Sequence, residues 1–252
     1  MSYLLIEMRT GGLMSCFNLV TASLNYLNEN KITDFYILWK NSSYQTTNEN
    51  LFDKFFYQQS PPKQKYDNII NIFDIGEKVF SPITNVEVYI HLNKILNLYN
   101  YFSNPIYNEI YNICAHKPKS IGVHVRRTDH GIHGDILPNE YYFEKIDANL
   151  ASGKYENIFL ATDEYIIVED FKKRYGDLLY TNSNITRSNN NVTIPQCNYI
   201  EKDKLAIDIF KEGISLSRCD KMIFTSSNIP SYVRLVNPGI DAEQIDTHIN
   251  FR

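Results

Sequence analysis

The sequence predicts an α/β protein made of two α/β domains facing each other across a cleft, and three observations lead there. From residue 120 onward, short apolar runs alternate with helix-length segments, which is the pattern of a parallel sheet covered on both faces. The chain opens with one such unit, a strand, a glycine turn and a helix. Between the two regions, Lys117-Pro118-Lys119 interrupts the pattern, so the expected N-terminal domain spans 1–117 and the C-terminal domain 118–252.

Tyr3 to Met8 reads as the first strand, and Arg9-Thr10-Gly11-Gly12 ends it ahead of an apolar-periodic helix from Leu13 to Leu27. The paired glycines let the backbone turn tightly and approach a ligand or a neighbouring domain at a helix N-terminus, although any tight strand-to-helix connection uses the same residues. Phe35 to Trp39 reads as the second strand, with Trp39 and Phe55-Phe56 as core. Pro61-Pro62 marks an exposed turn. Ile69 to Phe73 and Val86 to Ile90 read as short strands, and Leu92 to Phe102 and Pro105 to Ala115 as helices, the latter signalled by Asn104-Pro105.

The second half is arranged around Ser120-Ile121-Gly122-Val123-His124-Val125-Arg126-Arg127-Thr128-Asp129. Ile121, Val123 and Val125 share one face of a strand, and Gly122, His124 and Arg126 share the other. Helices then follow over Asn139 to Leu150, Glu164 to Tyr175, Asp203 to Arg218 and Ile229 to Val236. Strands fall between them at Ile158 to Ala161, Leu178 to Tyr180 and Lys221 to Phe224, and a polar loop runs from Thr181 to Asn198.

A net charge of −4 and a pI near 5.9 argue against a general nucleic-acid or polybasic membrane binder, because neither half carries a basic stripe. Any anion site is therefore local. Cys16, Cys114, Cys197 and Cys219 form no C-x-x-C pair, which favours reduced, buried thiols over a zinc knuckle or a disulfide framework. The start lacks a basic leader, and no apolar run approaches the ~18 residues of a membrane-crossing helix. The expectation is a soluble cytoplasmic protein whose sequons at Asn41, Asn184 and Asn191 are unused.

Parallel strands bring their carboxyl ends to one rim, where open α/β sheets bind ligands. Arg126 and Arg127 put two planar, permanently charged forks at that rim, suited to a diphosphate or, alternatively, to surface carboxylates. Thr162-Asp163-Glu164 ends the next strand, where Thr162 or Asp163 also suits a helix cap. Thr225-Ser226-Ser227-Asn228 offers small hydroxyls and free backbone N–H groups before a helix, as a phosphate site does and as a plain N-cap does. Arg126, Asp163, Ser226 and Ser227 are expected around one nucleotide. His130-x-x-His133-x-Asp135 has metal-ligand residue types but no strand or helix to fix it, and reads as loop.

The run from Gly122 to Asp129 resembles the first signature of the α1,2-, α1,6- and protein O-fucosyltransferase superfamily, and is most similar to its α1,6 and nodulation fucosyltransferase branch. Leu160-Ala161-Thr162-Asp163-Glu164 is similar to the second motif. Thr225-Ser226-Ser227-Asn228, with Ile207-Asp208 and Ser217-Arg218-Cys219-Asp220 upstream, is similar to the third. Arg9 to Cys16 and Leu38 to Tyr44 resemble the opening glycine loop and second-strand segment of the nodulation enzyme, so the resemblance covers most of the chain in order. It implies a GT-B glycosyltransferase of two Rossmann-like domains, with GDP-fucose as donor substrate in the second domain and a glycan acceptor in the cleft. It also implies inversion at the fucose anomeric carbon and no metal or other cofactor, in keeping with the lack of an Asp-x-Asp pair.

By family position, the resemblance implies that Arg126 meets the leaving phosphate, while Arg127 is more structural and pairs with a carboxylate. His124, Asp129, His130, Asp163, Glu164 and Asp208 fall at the nucleotide pocket, Ser226 and Ser227 at phosphate, Tyr142 near the base or sugar, and Arg9, Gly11 and Gly12 in an interdomain glycine loop. His130 stands where close relatives commonly have lysine. Gly134 stands at the spacing of the family's loop carboxylate, which makes Asp135 the candidate base. The segment between Phe56 and Ser120 is shorter than in these relatives, so the acceptor does not carry over. Two other readings stand beside fucosyl transfer: a different GDP-sugar, and a catalytically silent GDP- or glycan-binding module.

Overall fold

In the computed structural model, which describes residues 4–8, 12–40, 43–44, 49–58, 68–71, 86–98, 100–128, 136–189 and 201–246, the alternating runs fold into two parallel sheets. The chain divides into the units Met1–Asn112 and Ile113–Arg252, a division just ahead of Lys117-Pro118-Lys119.

The first unit contains β1 (Leu4–Met8), α1 (Leu13–Glu29), β2 (Phe35–Trp39), α2 (Leu51–Phe55), β3 (Asn68–Asn71), α3 (Val86–Leu98) and α4 (Pro105–Ile113). Its strand order is β2-β1-β3, all parallel. Leu13, Phe17, Val20, Leu24 and Leu27 recur every three or four residues, and all five are buried, which is why this stretch is a helix against the sheet. Asn50 joins α2 to β2: its side-chain oxygen accepts from Phe52 N and Trp39 N, and its amide donates to the Ile37 carbonyl at 2.7 Å. Phe17 stacks on Phe56 at 4.9 Å between ring centres, and Tyr101 meets Phe52 edge-on, so these aromatics are core.

One expectation is overturned here. Val86 to Ile90 is the first part of α3 and not a strand. Tyr89, Leu92, Ile95 and Leu96 are buried at helical spacing, while Val86, Val88 and Ile90 are exposed. The longer helical period outweighs the β-branched residues of its first turn. That helix ends at Leu98, and Tyr101–Ser103 forms a separate 3₁₀ turn. Arg9 and Gly11 lie outside the described residues, and Gly12 occupies the N-cap of α1.

The second unit contains β4 (Ser120–Val125), α5 (Asn139–Ala151), β5 (Asn157–Thr162), α6 (Tyr165–Tyr175), β6 (Leu179–Tyr180), α7 (Lys202–Ser217), β7 (Lys221–Phe224), α8 (Asn228–Val236) and β8 (Asp241–Gln244). The order is β6-β5-β4-β7-β8, with every pairing parallel. Ile121, Val123 and Val125 pack with Ile158, Leu160 and Ile223 against Tyr142 and Ile146 of α5 and Ile167 and Phe171 of α6. On the opposite face, a Cβ at Gly122 would lie 3.0 Å from Leu216 Cδ2 and 3.1 Å from Cys219 Sγ. Only a glycine lets the end of α7 come so close. Strand β8 carries little apolar signal, since Asp241–Gln244 is an edge strand whose one apolar residue is Ala242.

The chain winds outward from β4 through β5 to β6, then crosses to β7 and β8, so the topological switch point lies between β4 and β7. Register fixes what stands at that rim. His124 lies opposite both Ala161 and Phe224, and Phe224 lies opposite Gln244. Just past these strand ends, Asp163 meets Arg126 and Asp246 meets Ser226. Among the described residues, no helix is long and apolar enough to cross a membrane.

Gly122→Ala should lower the unfolding free energy by about 1–2 kcal/mol through overpacking against Leu216 and Cys219. A urea titration monitored by circular dichroism checks this.

Candidate active site at the carboxyl rim of the second sheet

The β4–β5 side of this rim is held together by the Asp163 carboxylate. Its Oδ1 accepts the Arg127 backbone N–H at 3.0 Å, and its Oδ2 accepts the Thr128 N–H at 3.2 Å and the Thr128 hydroxyl at 2.7 Å. The same Oδ2 lies 3.1 Å from Arg126 Nη1. The side chain of Asp163 is 6 % exposed and that of Arg126 is 27 %, so the cation is the accessible member of the pair. β5 thus supplies a buried anchor that shapes the turn after β4 and orients its arginine.

Arg127 behaves differently from the arginine before it. Its guanidinium donates to the Leu137 carbonyl and, at 2.6 Å, to Asn139 Oδ1, and it lies 5.9 Å from the Tyr142 ring centre. It is buried, and these side-chain partners are neutral oxygens, where the sequence suggested a carboxylate. The Asp163 contact goes to its backbone instead. Arg127 clamps the chain ahead of α5, and Arg126 is the more accessible of the two arginines.

Tyr142 sits beneath the rim, 1 % exposed, with its hydroxyl donating to Thr225 Oγ1 at 3.3 Å. Burial above all pushes its phenol up to about 12, so it stays neutral as a strut under the β7 turn. Just past β7, the Ser226 backbone N–H already donates to Asp246 Oδ2 at 2.7 Å, which removes one of the amides expected for a phosphate. Ser227, half-buried, is the N-cap of α8, and Ser226 is exposed. His124 is buried within β4.

A second polar cluster joins the loop before α7 to that helix. Asp208, 2 % exposed, faces inward, and its Oδ2 accepts the Thr186 N–H at 2.9 Å, the Thr186 hydroxyl at 2.7 Å and the Lys204 ammonium. One turn on, Glu212 pairs with Arg187 at 3.0 Å, both buried. Burial pushes the Glu212 carboxyl up to about 8 against the opposing pull of Arg187, with Asp163 and Asp208 adding to the rise. Glu164, the N-cap of α6, is also raised, first by burial and then by Asp163. Glu164 Oε1, Asp208 Oδ1 and Arg187 Nε are buried without a hydrogen-bond partner.

The structure therefore brings Arg126, Asp163 and Ser226 to one rim, keeps Ser227 on the adjoining helix start, and sets His124, Arg127 and Tyr142 below the surface. Asp129, His130 and Asp135 lie outside the described residues, as does the whole His130-x-x-His133-x-Asp135 run. Among the described residues, no group of three or more His, Cys, Asp or Glu could hold a metal ion. Sequence reasoning missed Arg187, Glu212, Gln244 and Asp246. The one available signal was Glu212 four residues after Asp208, two acids on one face of the helix, flanked by apolar Ile207, Ile209 and Ile214.

No protein-family model matches the chain, and no curated protein sequence matches it. Solved structures do match its fold. NodZ α-1,6-fucosyltransferase co-crystallised with GDP superposes with a TM-score of 0.56 at 15 % identity, covering 94 % of this chain and 93 % of that one. NodZ from Bradyrhizobium gives 0.56 at 15 % identity over 94 % of both chains. POFUT1 in complex with GDP gives 0.53 at 9 % identity, over 97 % of this chain and 98 % of that one. The chain thus has the parallel-sheet α/β fold of the GT-B fucosyltransferases NodZ and POFUT1.

Asp163→Ala should cost about 3 kcal/mol in a urea titration, because it leaves the Arg127 and Thr128 donors without their acceptor. Glu212 yields a pH dependence. With its carboxyl at about 8 when folded against 4.5 ordinarily, the folded chain holds the extra proton between these values, and stability falls as pH rises through that window. Thermal unfolding at pH 5 and pH 8 should show wild type losing ground relative to Glu212→Gln.

Proposed function

We propose that this chain is an inverting, metal-independent glycosyltransferase that moves fucose from GDP-fucose to a hydroxyl of a glycan or oligosaccharide acceptor. One observation carries the reading. Arg126, accessible and gripped by buried Asp163, stands just past the β4 carboxyl end beside the switch point, and Ser226 stands just past the carboxyl end of neighbouring β7. The fold supports it, since NodZ was co-crystallised with GDP and soaked with GDP-fucose, and POFUT1 was solved in complex with each.

The chemistry asks for such a cation. As the bond from the sugar's anomeric carbon to the β-phosphate oxygen breaks, negative charge gathers on departing GDP while the sugar becomes oxocarbenium-like. A guanidinium already oriented by Asp163 stabilises that charge without reorganising during the step. The Ser226 and Ser227 hydroxyls and the positive end of α8 suit the phosphates. The acceptor oxygen attacks the anomeric carbon from the face opposite GDP, so its new bond forms as the old one breaks and the centre inverts. Its proton goes to a carboxylate, and Asp135 is the proposed base.

The buried atoms without partners suit the nucleobase. Folded chains pair nearly all their buried polar groups, whereas Glu164 Oε1 and Asp208 Oδ1 are open acceptors and Arg187 Nε is an open donor. A guanine edge supplies donors at N1 and N2 and acceptors at O6 and N7. Asp129, His130 and His124 belong to the same proposed donor site by position in the sequence.

Titration calorimetry in EDTA with GDP, GDP-fucose, GDP-mannose and UDP tests the reading. Binding of GDP and GDP-fucose without UDP supports it, equal binding of GDP-mannose shifts the donor sugar, and no guanine-nucleotide binding overturns it. Arg126→Ala should keep the fold and lose roughly 10²–10³-fold in turnover of GDP-fucose; near-normal turnover would remove Arg126 from its assigned role.

A further inference from the structure

The Ser226 hydroxyl can aim its hydrogen in more than one direction, and two neighbours on β8 decide which. Ser226 Oγ lies 2.8 Å from Gln244 Nε2, and that nitrogen lies 2.8 Å from Asp246 Oδ1. Asp246 is 4 % exposed, and its Oδ2 accepts the Ser226 backbone N–H at 2.7 Å. A carboxylate accepts hydrogen bonds, so the Gln244 amide must turn its NH₂ toward it. One amide hydrogen then goes to Asp246 and the other to Ser226 Oγ. A hydroxyl oxygen already accepting from Gln244 points its own hydrogen elsewhere, and Ser226 is exposed at the rim.

We infer that Gln244 and Asp246 are positioning residues that lock Ser226 as an outward hydrogen-bond donor to the diphosphate of the nucleotide-sugar. The inference rests on the GDP-sugar reading of this rim. Phosphate oxygens accept only, so a hydroxyl with its proton already committed outward binds them without first reorienting. The backbone amide of Ser226 is held by Asp246, which leaves the side chain as this residue's contribution. The two anchors act alike. Asp163, just past β5, grips Arg126 just past β4, and Asp246, just past β8, grips Ser226 just past β7. Each donor beside the switch point is thus held by a buried carboxylate from the neighbouring strand end.

Gln244→Glu tests this, because it keeps the shape and puts an acceptor where the NH₂ stood. Ser226 would then turn its hydrogen inward. GDP affinity by calorimetry should fall roughly tenfold, the value of one hydrogen bond to a charged group, with the circular-dichroism spectrum of the folded chain retained. Ser226→Ala should lose a similar factor, and the double variant should bind no more weakly than Gln244→Glu alone. Simple charge repulsion, or a merely structural role, would instead make the two losses add. Wild-type affinity in Gln244→Glu, or full additivity, overturns the inference while GDP binding by the unsubstituted chain keeps the nucleotide reading. Absence of GDP binding by the unsubstituted chain overturns both.

Discussion

The second unit depends on one buried carboxylate. Asp163 receives the backbone of Arg127, the backbone and hydroxyl of Thr128, and the guanidinium of Arg126. A turn that leaves a central strand has no ladder partner for its amides, and an unpaired buried amide costs as much as the loss of a hydrogen bond. The neighbouring strand supplies the missing acceptor. The same group that satisfies the backbone therefore sets the direction of the charged side chain, so local folding and the geometry of the rim cannot be varied separately.

The other face of the sheet works by closeness. Gly122 lets the end of α7 settle against β4, and α7 carries Asp208 and Glu212 inward with it. Those acids then fasten the preceding loop through Thr186 and Arg187. Charge buried this way stabilises little in net terms, since desolvation offsets attraction. Its effect is on where the loop stands. The raised carboxyl of Glu212 is the visible sign of that desolvation.

Much of the site was legible from residue order because its features are local. Arg126, Asp163, Ser226 and Ser227 each follow an apolar run at the carboxyl end of a strand, and parallel topology alone sends those ends to one rim. The different fates of two adjacent arginines were not legible in full. Arg127 goes inward because Leu137 and Asn139, ten and twelve residues further along the chain, offer it oxygens. Gln244 and Asp246 were missed because β8, which they end and follow, is a short edge strand with one apolar residue, Ala242, and carries no periodic apolar signal. Val86 to Ile90 misled in the opposite sense, its β-branched residues lying on the exposed part of a helix.

The sequence by itself determined the period of nearly every element, the polar termini of the strands and the parallel α/β class, because those follow from side-chain spacing along a single segment. Only the tertiary structure decided which of those termini became neighbours. The order β6-β5-β4-β7-β8 puts Asp163 and Ser226 on either side of Arg126 and brings Asp246 to Ser226. Hydrogen bonds across strands are set by register between segments distant in the chain, and no local period encodes that register.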